Sequence, residues 1–221
     1  MRRLLRENSL SLVLLSAFVV FWLGQSLAGH REYNQEQQAH GEAEVAYPEY
    51  LTSAHFWEAT TENWESEFFQ IFFYVVLTAF LYQKGSAESK KLDEPEPVDR
   101  DPRHARHRPD APWPVRRGGL ALKLYEHSLS LAFLLFFLVA ITLHAVSGAR
   151  DYSDEQVAHG EPPVGALRYV GTSRFWFESF QNWQSEFLSI GMVVLLSIFL
   201  RQRGSPESKP VDSPHAATGS E

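Results

Sequence analysis

Apolar residues gather in four blocks, and the chain between them is polar. Leu10 to Leu27 is an uncharged, mostly apolar run of 18 residues, and Leu129 to Val146 is a second. A helix needs roughly 20 such residues to cross a hydrocarbon layer about 30 Å thick, so both runs predict membrane-spanning helices. Phe68 to Tyr82 and Phe187 to Leu200 are shorter, 15 and 14 residues. Carrying the first back to Trp64 gives about 28 Å of helix, which suffices. The expectation is an all-α membrane protein with four transmembrane helices.

The blocks recur. Leu5 to Lys90 aligns with Leu124 to Lys209 at a constant offset of 119 residues, without gaps, and 38 of the 86 pairs are identical. The identities cluster in polar stretches. Ala39-His40-Gly41-Glu42 matches Ala158-His159-Gly160-Glu161, and Gly85-Ser86 with Glu88-Ser89-Lys90 matches Gly204-Ser205 with Glu207-Ser208-Lys209. The apolar spans drift more, since a lipid-facing surface needs only to be apolar. Two two-helix repeats follow, residues 1–90 and 119–209. Between them lies a Pro/Arg-rich linker, 91–118, and after them a tail, 210–221, both expected to be disordered.

Charge sets the orientation. Segments 1–9, 83–128 and 201–221 hold 16 of the 20 Lys and Arg residues. The positive-inside rule places both termini and the linker in the cytoplasm of a multi-pass plasma (inner) membrane protein. The segments between paired spans, 28–67 and 147–186, carry 15 of the 27 acidic residues. Each repeat has an even number of spans, so the repeats run parallel. Arg2, Arg3 and Arg6 before the first apolar run also fit a cleaved signal peptide; the internal copy argues for retention. The linker arginines, Arg100 to Arg117, can rest on anionic lipid or simply fix topology.

Composition narrows the chemistry. A net charge of -7 excludes a basic nucleic-acid binder. With no cysteine there is no disulfide, thiolate nucleophile or Cys-ligated metal. No Ser/His/Asp arrangement, phosphate loop or paired-histidine helix motif is present, so no catalytic residue, enzyme activity or cofactor is expected.

The outer segments carry the candidate site. Tyr33, Glu36, Gln37 and His40 share one face of a short predicted helix, with Asn34 and Ser153 as N-caps and Gly41 and Gly160 as stops. His40, Glu42, His159 and Glu161 bear metal-donor atoms, but their spacing matches no zinc motif, and a structural cap is the alternative. A second helix should start after Ser53 or Ser173. Trp57 and Trp64, with Trp176 and Trp183, are expected as interface anchors. Asn63, Glu67, Asn182 and Glu186 lie on the polar side. A glutamate at such depth is a functional candidate by default.

These clusters, with Glu7-Asn8-Ser9-Leu10-Ser11 and Glu62-Asn63-Trp64-Glu65-Ser66-Glu67-Phe68, resemble a family of small bacterial integral membrane proteins known only as a domain of unknown function, here in two tandem copies. The resemblance covers both repeats and omits linker and tail. It implies no activity and supplies no site residues. The expected role is a non-enzymatic envelope scaffold, sensor or partner protein acting through acidic external loops. The alternative is a proton or small-cation transporter using Glu67 and Glu186. Expected partners are the bilayer and either a second copy or another membrane protein.

Overall fold

The longest apolar runs become the longest helices. A computed structural model describes residues 2–219; Met1, Ser220 and Glu221, which fall in the predicted first repeat and tail, lie outside the described residues. The described residues contain helices and no strand. In chain order they are α1 (Arg2–Glu7), α2 (Ser9–Ala39), α3 (Tyr47–Tyr50), α4 (Ala54–Phe80), α5 (Trp113–Arg117), α6 (Gly119–Glu126), α7 (Ser128–Ala158), α8 (Ala166–Tyr169) and α9 (Ser173–Leu196). Two short 3-10 turns, Pro97–Asp99 and Pro102–Ala105, lie in the linker.

Two helices, α2 and α7, are long and apolar enough to cross a membrane. Only 6% and 11% of their most apolar windows are buried. The core helix of a soluble protein would be mostly covered, whereas Leu10 and Phe21 keep 71% and 75% of their surface. Each is preceded by a short helix across a one-residue break, at Asn8 and at His127. Ser9 Oγ donates to Arg6 O (3.0 Å) and Ser128 Oγ to Tyr125 O (2.8 Å).

The short outer helix expected around residues 34–40, with its copy at 153–159, is instead the end of a longer one. α2 and α7 continue for 31 residues each, about 46 Å, past any hydrocarbon layer. Asn34 lies inside α2 and caps nothing. Its side chain reaches the loop instead, accepting from Val45 N (2.8 Å) and donating to Val45 O (3.1 Å). Ser153 treats Val164 the same way, at 2.8 and 2.9 Å. The glycine stops fall where expected. Gly41 and Gly160 have φ of +77° and +80°, and the N–H groups of Glu42 and Glu161 reach back to Gln37 O and Gln156 O at 2.8 Å. Ser53 caps α4 through Phe56 N (3.2 Å). For α9 the cap is Thr172, one residue before Ser173, because its hydroxyl accepts from Phe175 N (3.4 Å).

The chain divides into two compact units, Met1–Thr60 with Leu143–Tyr169, and Thr61–Thr142 with Val170–Glu221. The first is built around Tyr50, Phe56 and Tyr169, all at most 2% exposed. Tyr169 lies against a helix surface opened by Gly148; a Cβ there would come within 2.6 Å of the ring. Gly29 makes the same room for Tyr50.

In the second unit, aromatic rings of α4, α7 and α9 interlock. Phe69 stacks on Trp183 at 4.3 Å and meets Phe137 at 4.9 Å, and Phe68 meets Phe136 at 5.3 Å. Parts of the linker and tail pack against the rest of the second unit. Ala111 and Val115 of the linker and Leu122 just after it bury one another, with Ala105 against them. Lys209, the last residue of the second repeat, is 1% exposed. Its ammonium donates to Gly85 O (2.5 Å), Ala217 O (2.8 Å) and His215 O (2.9 Å). A buried cation must be satisfied, and these carbonyls fold the tail around it.

Candidate functional site

The predicted outer residues do not gather into one ligand set. His40 caps the end of α2, its N–H reaching Glu36 O (3.1 Å), and stays exposed. Glu42 is exposed and accepts from Gln37 Nε2 (3.1 Å). His159 Nδ1 pairs with Glu155 O (2.8 Å), and Glu161 is exposed. Trp57 Nε1 donates to Leu51 O (3.1 Å), and Trp57 and Trp176 keep 37% and 39% of their surface. Trp64 is half-buried.

What these outer segments do form is a fixed frame. Ser26 and Tyr47 hydroxyls bond at 2.8 Å, and His30 Nε2 pairs with Val45 O at 2.7 Å. The rings of Tyr33, Tyr50 and His55 then meet one another at a tilt, and Phe56 meets Tyr50 edge-on, with centroids 5.1 to 6.0 Å apart. Burial first, then the Glu32 carboxylate, pushes the Tyr50 hydroxyl up to about 12, so it stays a proton donor. Around this frame Glu32, Glu36, Glu42, Glu44, Asp154 and Glu155 are all exposed.

The first unit also holds a buried pair not singled out from the sequence. Glu58 is 8% exposed and His144 is fully buried, and each offers a ligand atom within 4.8 Å of the other. A carboxylate and an imidazole so placed can share a proton or supply two ligands of a larger cation shell. The signal was present: a histidine inside an apolar 18-residue run.

On the inner length of α4, in the second unit, the polar face bonds to α9. Glu67 is exposed, and so is Asn63. The enclosed glutamate is Glu65, with no exposed surface, which accepts from Trp183 Nε1 (3.1 Å). Trp183, the expected interface anchor, thus donates to a buried carboxylate, a group that burial requires to be hydrogen-bonded. Asn182 Nδ2 donates to the Glu62 carboxylate and to Glu178 O (3.1 Å). Gln70 Nε2 donates to Glu186 O (2.6 Å) and Ser189 Oγ (3.1 Å). Glu186 is half-buried, and Glu67 lies close enough to act on it electrostatically. Glu58, Glu62 and Glu65 sit at helical spacings of four and three, a register that marks one face of α4 in the sequence itself.

Against this geometry, one family matches. A domain of unknown function, DUF6766, covers residues 1–220. The chain belongs to the DUF6766 family. No curated protein and no solved structure matches it. The DUF6766 match runs through the linker and into the tail, which the sequence resemblance had left aside. Both segments therefore fall within the DUF6766 match, and the tail is bonded to residues at the end of the first repeat. Ser86 and Ser197 hydroxyls bond at 2.9 Å, Gly85 N reaches Thr218 Oγ1 (2.9 Å), and Gly219 N reaches Ser86 O (3.0 Å). Beside them Tyr74 donates to Glu88 Oε2 (2.5 Å). Burial raises the Glu88 carboxyl above its usual range, the Tyr74 bond opposes this, and the Glu207 charge adds to it.

Proposed function

We propose that this DUF6766 protein is a non-enzymatic scaffold or sensor of a bacterial inner membrane, engaging a cationic partner through its acidic outer loops. In this reading α4 and α9 also cross the bilayer, both termini are cytoplasmic, and the chain is two parallel two-helix repeats. Supporting the repeat reading, the Asn34–Val45 and Ser153–Val164 clasps are 119 residues apart, as are Gln70 and Ser189, which bond each other.

The observation that carries the proposal is the exposed carboxylates on a frame tied by Asn34, Ser153 and the buried tyrosines. A fixed array of like charge selects an opposite charge and steers its approach. The test is photo-cross-linking in intact cells from a benzophenone maleimide coupled to Glu44→Cys. A discrete adduct that disappears on neutralising Glu36 and Glu42 is expected; an adduct insensitive to those charges would reject the reading.

The alternative, proton or cation transport, draws on the electrostatic contact of Glu67 with Glu186. Flux in proteoliposomes that Glu67→Gln/Glu186→Gln abolishes would support it. Flux equal to empty liposomes, from folded and inserted protein, would remove it.

A further inference from the structure

The linker ends in a corner whose interior is sealed and whose outside is both basic and apolar. Ala111, Val115 and Leu122 close its inside. Gly118 and Gly119, with φ of +71° and +61°, turn the chain from α5 into α6. Arg106 Nε reaches across to Arg116 O (3.3 Å). This fixes the outer face, where Trp113, Leu120 and Leu124 keep 57%, 73% and 54% of their surface. Large apolar groups so exposed, on a folded segment, mark an interaction surface.

The charge around them says what kind. Residues 102–124 contain six basic residues and one acidic residue, Asp110, in a chain of net charge -7. Asp110 is taken by Arg108 at 2.5 Å. Arg106, Arg116 and Arg117 are exposed, and Arg117 lies over the Trp113 ring at 5.1 Å. That leaves cations beside an indole and two leucines, the composition of a segment lying in a membrane interface. α6 then runs through His127 directly into α7, one of the two helices able to cross a bilayer.

We propose that the α5–α6 corner is an interfacial anchor selective for anionic lipid. Arg106, Arg116 and Arg117 meet headgroup phosphates, and Trp113, Leu120 and Leu124 enter the acyl boundary. The proposal rests on the membrane reading above, and its test separates the two.

The chain has no cysteine, so single nitroxide labels can be placed at Tyr125→Cys and, separately, at Leu15→Cys in the full-length protein. Each is reconstituted in nanodiscs of phosphatidylcholine alone or mixed with phosphatidylglycerol. The Tyr125 label should lose several-fold of its accessibility to a water-soluble nickel chelate only when phosphatidylglycerol is present. Arg106→Gln/Arg116→Gln/Arg117→Gln should restore that accessibility and leave the Leu15 label unchanged. A Tyr125 label equally wet in both lipids, shielded in both, or shielded only on adding soluble acidic protein overturns the proposal while a lipid-buried Leu15 preserves the membrane reading. A wet Leu15 label overturns both.

Discussion

Glu65 and Glu67 are two residues apart on α4, and their environments differ completely. Helical geometry turns Glu65 inward to Trp183 and leaves Glu67 exposed. Trp183→Phe keeps the ring on Phe69 but removes the donor. It should cost about 0.5–1.5 kcal/mol in denaturant titration, the net worth of one hydrogen bond; no measurable loss would mean that Glu65 does not depend on that bond. Glu88 gives a pH prediction. Its folded pKa lies above the unfolded value near 4.5. Its contribution is therefore complete below that value and is lost as pH rises through the folded one. Stability should fall with rising pH in that window, and Glu88→Gln should flatten the slope in paired melts.

At the scale of elements, the boundaries that local chemistry sets were legible. Gly41, Gly160 and Ser53 stop or start helices as their residue types require. Asn34 was not legible, because an Asn that can cap a helix can equally reach out of one, and the preceding apolar run propagates α2 straight through it. The buried face of α4 was obscured because hydropathy averages Glu65 with Trp64, and helical phase alone reveals it. The end of the second repeat was illegible for another reason: Lys209 finds Gly85, 124 residues away, and no local pattern announces such a contact. The helix–loop packing makes its own prediction. Gly148→Ala drives a methyl into Tyr169 and should cost about 1–3 kcal/mol as overpacking. Gly24→Ala, with nothing within 4 Å of its Cβ, should cost nothing in the same thermal melts.

For the whole molecule, the prediction concerns sidedness. With no native cysteine, Glu44→Cys and His215→Cys report on opposite ends of the proposed topology. An impermeant maleimide should label the first in intact cells and the second only after permeabilisation. Equal labelling of both would refute it. The clasps described above also bear on the order of synthesis. Asn34 and Val45, like Ser153 and Val164, are only 11 residues apart, and Ser26 and Tyr47 only 21. Closing a loop of ten residues takes about 10–100 ns, whereas a ribosome adds only about 5–20 residues per second. Each of these loops can therefore seat on its own helix before the next helix has left the ribosome, so the clasps of the two repeats form independently of one another and in chain order.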